Sequence, residues 1–169
     1  MKNFRLRHWQ PSDAESLVKY ANNANIARYM RDAFPHPYTK ADGDNFIQFA
    51  MQKLPASIFA ITVDDLAIGG IGLHPQNDIY RLNAELGYWL GEPFWGQGII
   101  TNAISQIVTY GFENLQIERI YAIPFGSNIG SQKVLEKAGF LLEAKLSKTI
   151  VKNNVLEDEL IYAIRKVGS

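Results

Sequence analysis

A mixed α/β sheet with helices on its faces is the fold class this sequence predicts, and three observations predict it. The chain has 169 residues and is 47% hydrophobic, enough for one full apolar core. Segments in which apolar residues alternate are interleaved with segments in which they recur at steps of three and four, the periods of strands and helices. No internal repeat, low-complexity stretch or Ser/Gly/Pro-rich linker breaks the pattern, so residues 1–169 read as a single domain.

The elements follow in order. Phe4–Trp9 alternates Phe4, Leu6 and His8 against Arg5, Arg7 and Trp9, which suits a strand. Ser12 and Glu15, with Pro11 just ahead, form a capping-box pattern for a helix running to about Asn22. Asn25–Met30 continues as a further helical turn, and two prolines exclude regular helix from Phe34 to Tyr38. Thr39 with Asp42 is a second N-cap pattern, opening a helix over Ala41–Lys53 that Pro55 ends. Ser57–Val63 and Leu66–His74 read as a hairpin turned at Asp64-Asp65, the second strand thinned by Gly69, Gly70 and Gly72, a mark of a bulge or close backbone approach. Asn83–Leu90 alternates cleanly, with Ala84, Leu86, Tyr88 and Leu90 on one face. The loop Gly91–Gly98 leads into a helix from Ile99 to Leu115 with its apolar stripe on Ile100, Ala103, Ile104, Ile107 and Gly111. Arg119–Ile123 is a strand, Asn128–Ala138 a helix closed by Gly139, and Leu141–Val151 with Val155–Arg165 a final hairpin around Asn153-Asn154.

Composition excludes several function classes. Lys+Arg and Asp+Glu both number 17, so the net charge is zero and no nucleic-acid footprint is expected. With no cysteine, disulfides, thiolate metal sites and a cysteine nucleophile are excluded. No His/Asp/Glu cluster has metal-ligand spacing, so no metal is expected. The opening MKNFRLRHWQ has no signal-peptide character, and no apolar run nears the roughly 18–20 residues that span a bilayer. A cytoplasmic location without membrane contact is the default expectation.

The stretch Trp89-Leu90-Gly91-Glu92-Pro93-Phe94-Trp95-Gly96-Gln97-Gly98-Ile99-Ile100-Thr101 carries the most chemistry. A strand enters a glycine loop that enters a helix N-terminus. The first helical turn offers N–H groups with no intrahelical partner and about half a positive charge, and glycines let the main chain curl those amides toward an anion. A phosphate or diphosphate suits such a loop; a tight turn packing a helix on a sheet uses the same residues. The Walker A pattern is absent, and the dinucleotide fingerprint lacks its third glycine.

Phe94-Trp95-Gly96-Gln97-Gly98-Ile99-Ile100-Thr101 resembles motif A of the GNAT acetyltransferases, in the branch of the ribosomal-protein N-terminal acetyltransferases. Phe34-Pro35-His36-Pro37-Tyr38-Thr39 is similar to that branch's early loop, Glu85-Leu86-Gly87-Tyr88-Trp89-Leu90 to its fourth strand, and Asn128-Ile129-Gly130-Ser131 with Val134–Phe140 to its Asn-x-x-Ser…Gly-Phe segment. The resemblance runs from about Phe4 to Ile164. Two positions depart from the pattern: Ile100 replaces a small residue, and Asn102 stands where the branch often has Glu.

The resemblance implies an α/β (α+β) GNAT-like fold, with a mixed, mostly antiparallel sheet of about seven strands and helices on both faces. It implies transfer of an acetyl group from acetyl-CoA to a primary amine by direct attack in a ternary complex. The acceptor could be a protein N-terminus, a polyamine or a small-molecule amine, and the enzyme a monomer or homodimer. Amides of Gly96, Gln97, Gly98, Ile99, Ile100 and Thr101 hold the diphosphate on this reading. Tyr88, Trp89 and Leu90 line the pantetheine arm, with a backbone N–H near Leu90 polarising the thioester carbonyl. Glu85 is the candidate base for the amine, or a strand glutamate facing water. Ser131 is the candidate partner of the leaving thiolate, or a first-turn helix residue. Asn128 contacts the arm, or caps the helix. His36 and Tyr38, with Glu85, are the candidate acceptor contacts. A non-catalytic acyl-CoA-binding or sensor domain is the alternative.

Overall fold

The computed structural model describes residues 3–168. Its strands are β1 (Phe4–His8), β2 (Ile58–Val63), β3 (Leu66–Pro75), β4 (Asn83–Leu90), β5 (Arg119–Ala122), β6 (Leu141–Lys152) and β7 (Val155–Arg165). Its helices are α1 (Ala14–Ala21), α2 (Ala24–Ala27), α3 (Lys40–Met51), α4 (Ile99–Asn114) and α5 (Ile129–Lys137). The seven strands form one sheet in the order β1-β2-β3-β4-β5-β7-β6. β4 and β5 run parallel, joined by the α4 crossover, while β1–β2, β2–β3, β5–β7 and β6–β7 are antiparallel. The connection between Pro75 and Asn83 is too short for a crossover, which makes β3–β4 antiparallel too. The expected mixed, mostly antiparallel α/β sheet is the one observed.

By packing, the chain resolves into two compact units: one up to Gly72 together with Tyr88–Ala103, the other Leu73–Gly87 together with Ile104 onward. In the first, α1 and α3 lay Leu17, Ala21, Ile47 and Ala50 onto Ile58, Ala60 and Trp89, with Trp9 in the same cluster. The thinned strand β3 shows both expected features. Its pairing to β2 shifts between Ile61 and Thr62. A Cβ on Gly69 would come within 2.5 Å of the Trp89 carbonyl oxygen, so β3 and β4 meet where only glycine fits.

Thr39 and Asp42 form the expected capping box at α3. The expected box of Ser12 and Glu15 does not form. A short 3-10 turn occupies Pro11–Asp13 and α1 starts at Ala14. The Asp13 carboxylate, buried, accepts from the Gln10 N–H at 2.9 Å and from both Arg7 nitrogens at 2.7 Å. A charged acceptor satisfied from two elements outcompetes a serine hydroxyl for the helix entry.

In the second unit, α4 lies against one sheet face: a Cβ on Gly111 would collide with Leu73 and touch Ile120. Arg119 on β5 donates to Asn83 on β4 at 3.0 Å and to Glu143 on β6, and Arg165 on β7 also donates to Glu143. The Arg119 guanidinium, then that of Arg165, holds the Glu143 carboxyl below the usual carboxylate range against the opposing effect of burial. β6 forms the rim of the sheet. Its ladder to β7 is broken twice, at Leu142/Ala144 and Leu146/Ile150, and Lys148 in the second break is left-handed at φ 54°. Asn153 and Asn154, both at positive φ, make the predicted hairpin turn.

Candidate active site

The chemistry-bearing segment leaves β4 through a 3-10 turn, Glu92–Phe94, and enters α4 at Ile99. Gly96 and Gly98 are left-handed, at φ 72° and 76°, which side chains disfavour by about 1–2 kcal/mol each. Those two conformations turn the chain so that α4 starts immediately after the loop. Four side chains fasten it. The Trp95 Nε1–H donates to the Leu90 carbonyl at 2.7 Å, and the Gln97 amide to the Pro93 carbonyl at 3.1 Å. The Asn102 side chain donates to the Gly98 carbonyl at 2.9 Å. The Glu92 carboxylate accepts from Asn23 at 2.7 Å and Asn25 at 3.0 Å, which lowers its pKa from the ordinary value. Phe94 is buried edge-to-face against Tyr20.

This loop fits a diphosphate. A Cβ built on Gly96 meets nothing within 4 Å, so open space lies over the loop. The first turn of α4 carries no acidic residue to oppose an anion. The Gly98 carbonyl is taken up by the backbone N–H and the side chain of Asn102, leaving the positive end of the helix as the prevailing field.

Register defines what the end of β4 offers. The Gly91 N–H donates to the Ile68 carbonyl at 2.7 Å. In an antiparallel ladder the main-chain groups of successive residues alternate sides. Those of Tyr88 and Leu90 are therefore directed away from β3, as a pantetheine arm pairing like an added strand requires. The Leu90 carbonyl on that side is engaged by Trp95, so it is the N–H of Leu90 that faces outward. The Trp89 ring is buried in the core cluster, so its side chain serves packing.

The other candidates divide between the two units. In the first, His36 is exposed and Tyr38 is 5% exposed, its ring against Phe34, which also meets Trp89 edge-on. Burial, with a smaller contribution from the Asp42 carboxylate, pushes the Tyr38 phenol up to about 12. In the second unit, the Asn128 side chain accepts from the Ser131 N–H at 3.1 Å, so Asn128 is the α5 N-cap and Ser131 stands in its first turn. Glu85, half-buried on β4, pairs in register with Tyr121 on β5. The structure thus joins Tyr88–Leu90 and Gly96–Thr101 in one turn of chain, and Asn128 with Ser131 in one cap. Phe94 and Trp95 read from the sequence as residues that anchor the loop, and both do so here. Sequence reasoning missed Glu92 as a fastener, because its partners Asn23 and Asn25 lie far away in the chain.

Among the described residues no helix is long and apolar enough to cross a membrane, and no three His, Asp or Glu side chains gather as a metal site. Residues 3–141 match the family described as acetyltransferase (GNAT) domain. The chain is 36% identical over 179 residues to YdaF of Bacillus subtilis (strain 168), provisionally named a ribosomal N-acetyltransferase; the match covers 98% of this chain and 92% of that one. It is 34% identical over 114 residues to the ribosomal-protein-serine acetyltransferase of Escherichia coli (strain K12), covering 66% and 62%. The microcin C7 self-immunity acetyltransferase MccE, solved with acetyl-CoA and AMP, superposes with a TM-score of 0.82 at 27% identity, over 96% of this chain and 92% of that one.

Proposed function

Since this chain belongs to the GNAT acetyltransferase family, and is thus an N-acetyltransferase with acetyl-CoA as co-substrate, we propose that its acceptor is the free α-amine of a protein N-terminus. The observation that carries this choice is the 36% identity, over 98% of the chain, to a relative named for ribosomal acetylation. Chemistry favours the same acceptor. At pH 7 an α-amine with pKa about 7.8 is roughly 14% neutral, and a lysine amine near 10.4 only about 0.04%. An enzyme of zero net charge gains more from the first than from a polyamine. Donor and acceptor meet in the cytoplasm on this reading.

When bound, acetyl-CoA supplies a thioester whose acetyl carbon is open to attack by an amine. The chain's residues then have these roles. Amides from Gly96 to Thr101 hold the diphosphate. The main chain of Tyr88 and Leu90 aligns the pantetheine arm, and the Leu90 N–H polarises the carbonyl. Glu85 removes a proton from the amine, and the Ser131 hydroxyl supplies one to the departing sulfur. Asn128 fixes Ser131 by capping α5. His36 meets the acceptor, and Tyr38 anchors the loop that presents it. Bringing donor and acceptor together supplies a large part of the acceleration, so loss of Glu85 slows the reaction without abolishing it.

The test is thiol release from acetyl-CoA, read without background because the chain has no cysteine. Peptides with a free N-terminal Ser or Ala should turn over at least about tenfold faster, in kcat/KM, than N-blocked lysine peptides or spermidine. Preference for spermidine would overturn the proposed acceptor.

A further inference from the structure

A row of proton-handling side chains crosses three adjacent strands of the second unit. The Gln76 N–H donates to the Asn83 carbonyl at 2.9 Å, which fixes the antiparallel register of β3 on β4 and sets His74 opposite Glu85. The parallel ladder pairs Glu85 with Tyr121 on β5. Paired residues project from one face. α4 occupies the other face, against Leu73 and Ile120, so His74, Glu85 and Tyr121 stand side by side on the face turned away from it. Gly87, the next residue of β4 on that face, brings no side chain. A Cβ there would lie 3.5 Å from His74 Nε2, so the imidazole extends along β4 from its place opposite Glu85 into the notch. His74 is exposed, whereas Glu85 and Tyr121 are half-buried.

We propose that His74 is a positioning residue that relays the acceptor's proton, receiving through Glu85 what Glu85 takes from the amine, while Tyr121 orients the carboxylate from its other side. The proposal rests on the reading of Glu85 as the base. An N–H bond of the ammonium breaks and a carboxyl O–H forms; that O–H then breaks and an imidazole N–H forms. The imidazolium is left paired with the restored carboxylate and, being exposed, returns the proton to water. A model carboxyl disfavours taking a proton from an α-ammonium group by roughly 3,000-fold, and a model imidazole by only about 20-fold. A histidine behind the carboxylate therefore makes the proton's departure far less uphill. The other charged groups of this face, Arg119 on β5 and Arg165 on β7, both donate to Glu143 on β6. Arg119 also donates to Asn83 on β4 at 3.0 Å and lies over the Tyr121 ring, 4.8 Å from its centre, so its charge stands beside the row, on the Tyr121 side of Glu85.

Two measurements on His74→Gln, Glu85→Gln and Tyr121→Phe test the relay. The chain holds three histidines, so the His74 ring signal in a proton NMR titration is assigned by its loss in His74→Gln. Its midpoint should fall by at least about half a pH unit in Glu85→Gln, because an opposing carboxylate stabilises the imidazolium. In turnover of a free-amine peptide at pH 7, His74→Gln should lower kcat by about tenfold with the acetyl-CoA KM within about twofold. That deficit should shrink toward about threefold at pH 9, where solution supplies the neutral amine. Tyr121→Phe should show a smaller loss of the same kind. If Glu85→Gln turns over like the wild type, the reading of Glu85 as base falls and the relay with it. If Glu85→Gln is impaired but the His74 midpoint does not move, or the His74→Gln deficit is flat with pH, the relay alone is wrong.

Discussion

Replacing Gly96 with alanine separates the cost of the loop's backbone from its use. Gly96 sits at φ 72°, and a Cβ there meets nothing within 4 Å, so no clash adds to the conformational strain. That strain is about 1–2 kcal/mol for a left-handed residue with a side chain. For a chain of this size each kcal/mol moves Tm by roughly 2–4 °C, so the free variant should melt about 2–8 °C lower. Gly139→Ala is the control. Its φ is 88° and its added Cβ would touch only Ile164 at an ordinary 3.7 Å, so it carries the same backbone cost at the end of α5. Coenzyme A at a hundred times its Kd stabilises the folded state by about 2.7 kcal/mol. A methyl projecting over the loop should weaken that binding at least about tenfold, which removes about 1.4 kcal/mol of the stabilisation, roughly half the ligand-induced rise in Tm. Gly139→Ala should keep the whole rise. Differential scanning fluorimetry with and without coenzyme A reads both quantities. Equal ligand-induced shifts in the two variants would show that the loop's open side is not where the diphosphate sits.

Three further outcomes follow from the geometry. Asp13→Ala should destabilise by about 2–3 kcal/mol in urea denaturation, since it leaves the Gln10 N–H without its acceptor and takes the carboxylate from the Arg7 guanidinium, 23% exposed, which keeps only the His8 and Asp65 carbonyls. The Glu143 carboxyl is held below its ordinary 4.5 by Arg119 and Arg165, so its contribution is complete above that pH and is lost as pH falls through the lower folded value. Glu143→Gln should therefore be less stable than wild type at pH 7, with the gap narrowing as pH falls below 4.5; a gap that does not change with pH would refute the assignment. Asn128→Ala should cost about 1 kcal/mol of stability through loss of the α5 cap, and Asn128→Asp should recover most of it in the same denaturation assay.

Much of the fold was legible because its signals are local. β4 showed its alternation because Ala84 and Leu86 are buried while their neighbours on the strand are less so. The Thr39–Asp42 box lies within four residues, and the Asp64-Asp65 and Asn153-Asn154 turns need only their own positive φ. The entry to α1 was misread because its decisive partner, Arg7, belongs to the preceding strand, and an ion pair outranked the local serine pattern. The glycine loop was legible as a sequence of residue types, yet its fastening through Glu92 was not. Asn23 and Asn25 reach Glu92 across nearly seventy residues, and nothing in their local sequence announces it. The adjacency of His74, Glu85 and Tyr121 depends on two registers, each set by main-chain bonds between distant segments.

The rim formed by β6 bears on behaviour at high concentration. A foreign strand seeking to extend the sheet there would find its ladder out of step at two places within twelve residues, with a left-handed lysine in the second. Such interruptions deny an incoming chain a continuous template, so fibrillar recruitment along this border is disfavoured despite the apolar Leu141, Leu142 and Val151 exposed on it.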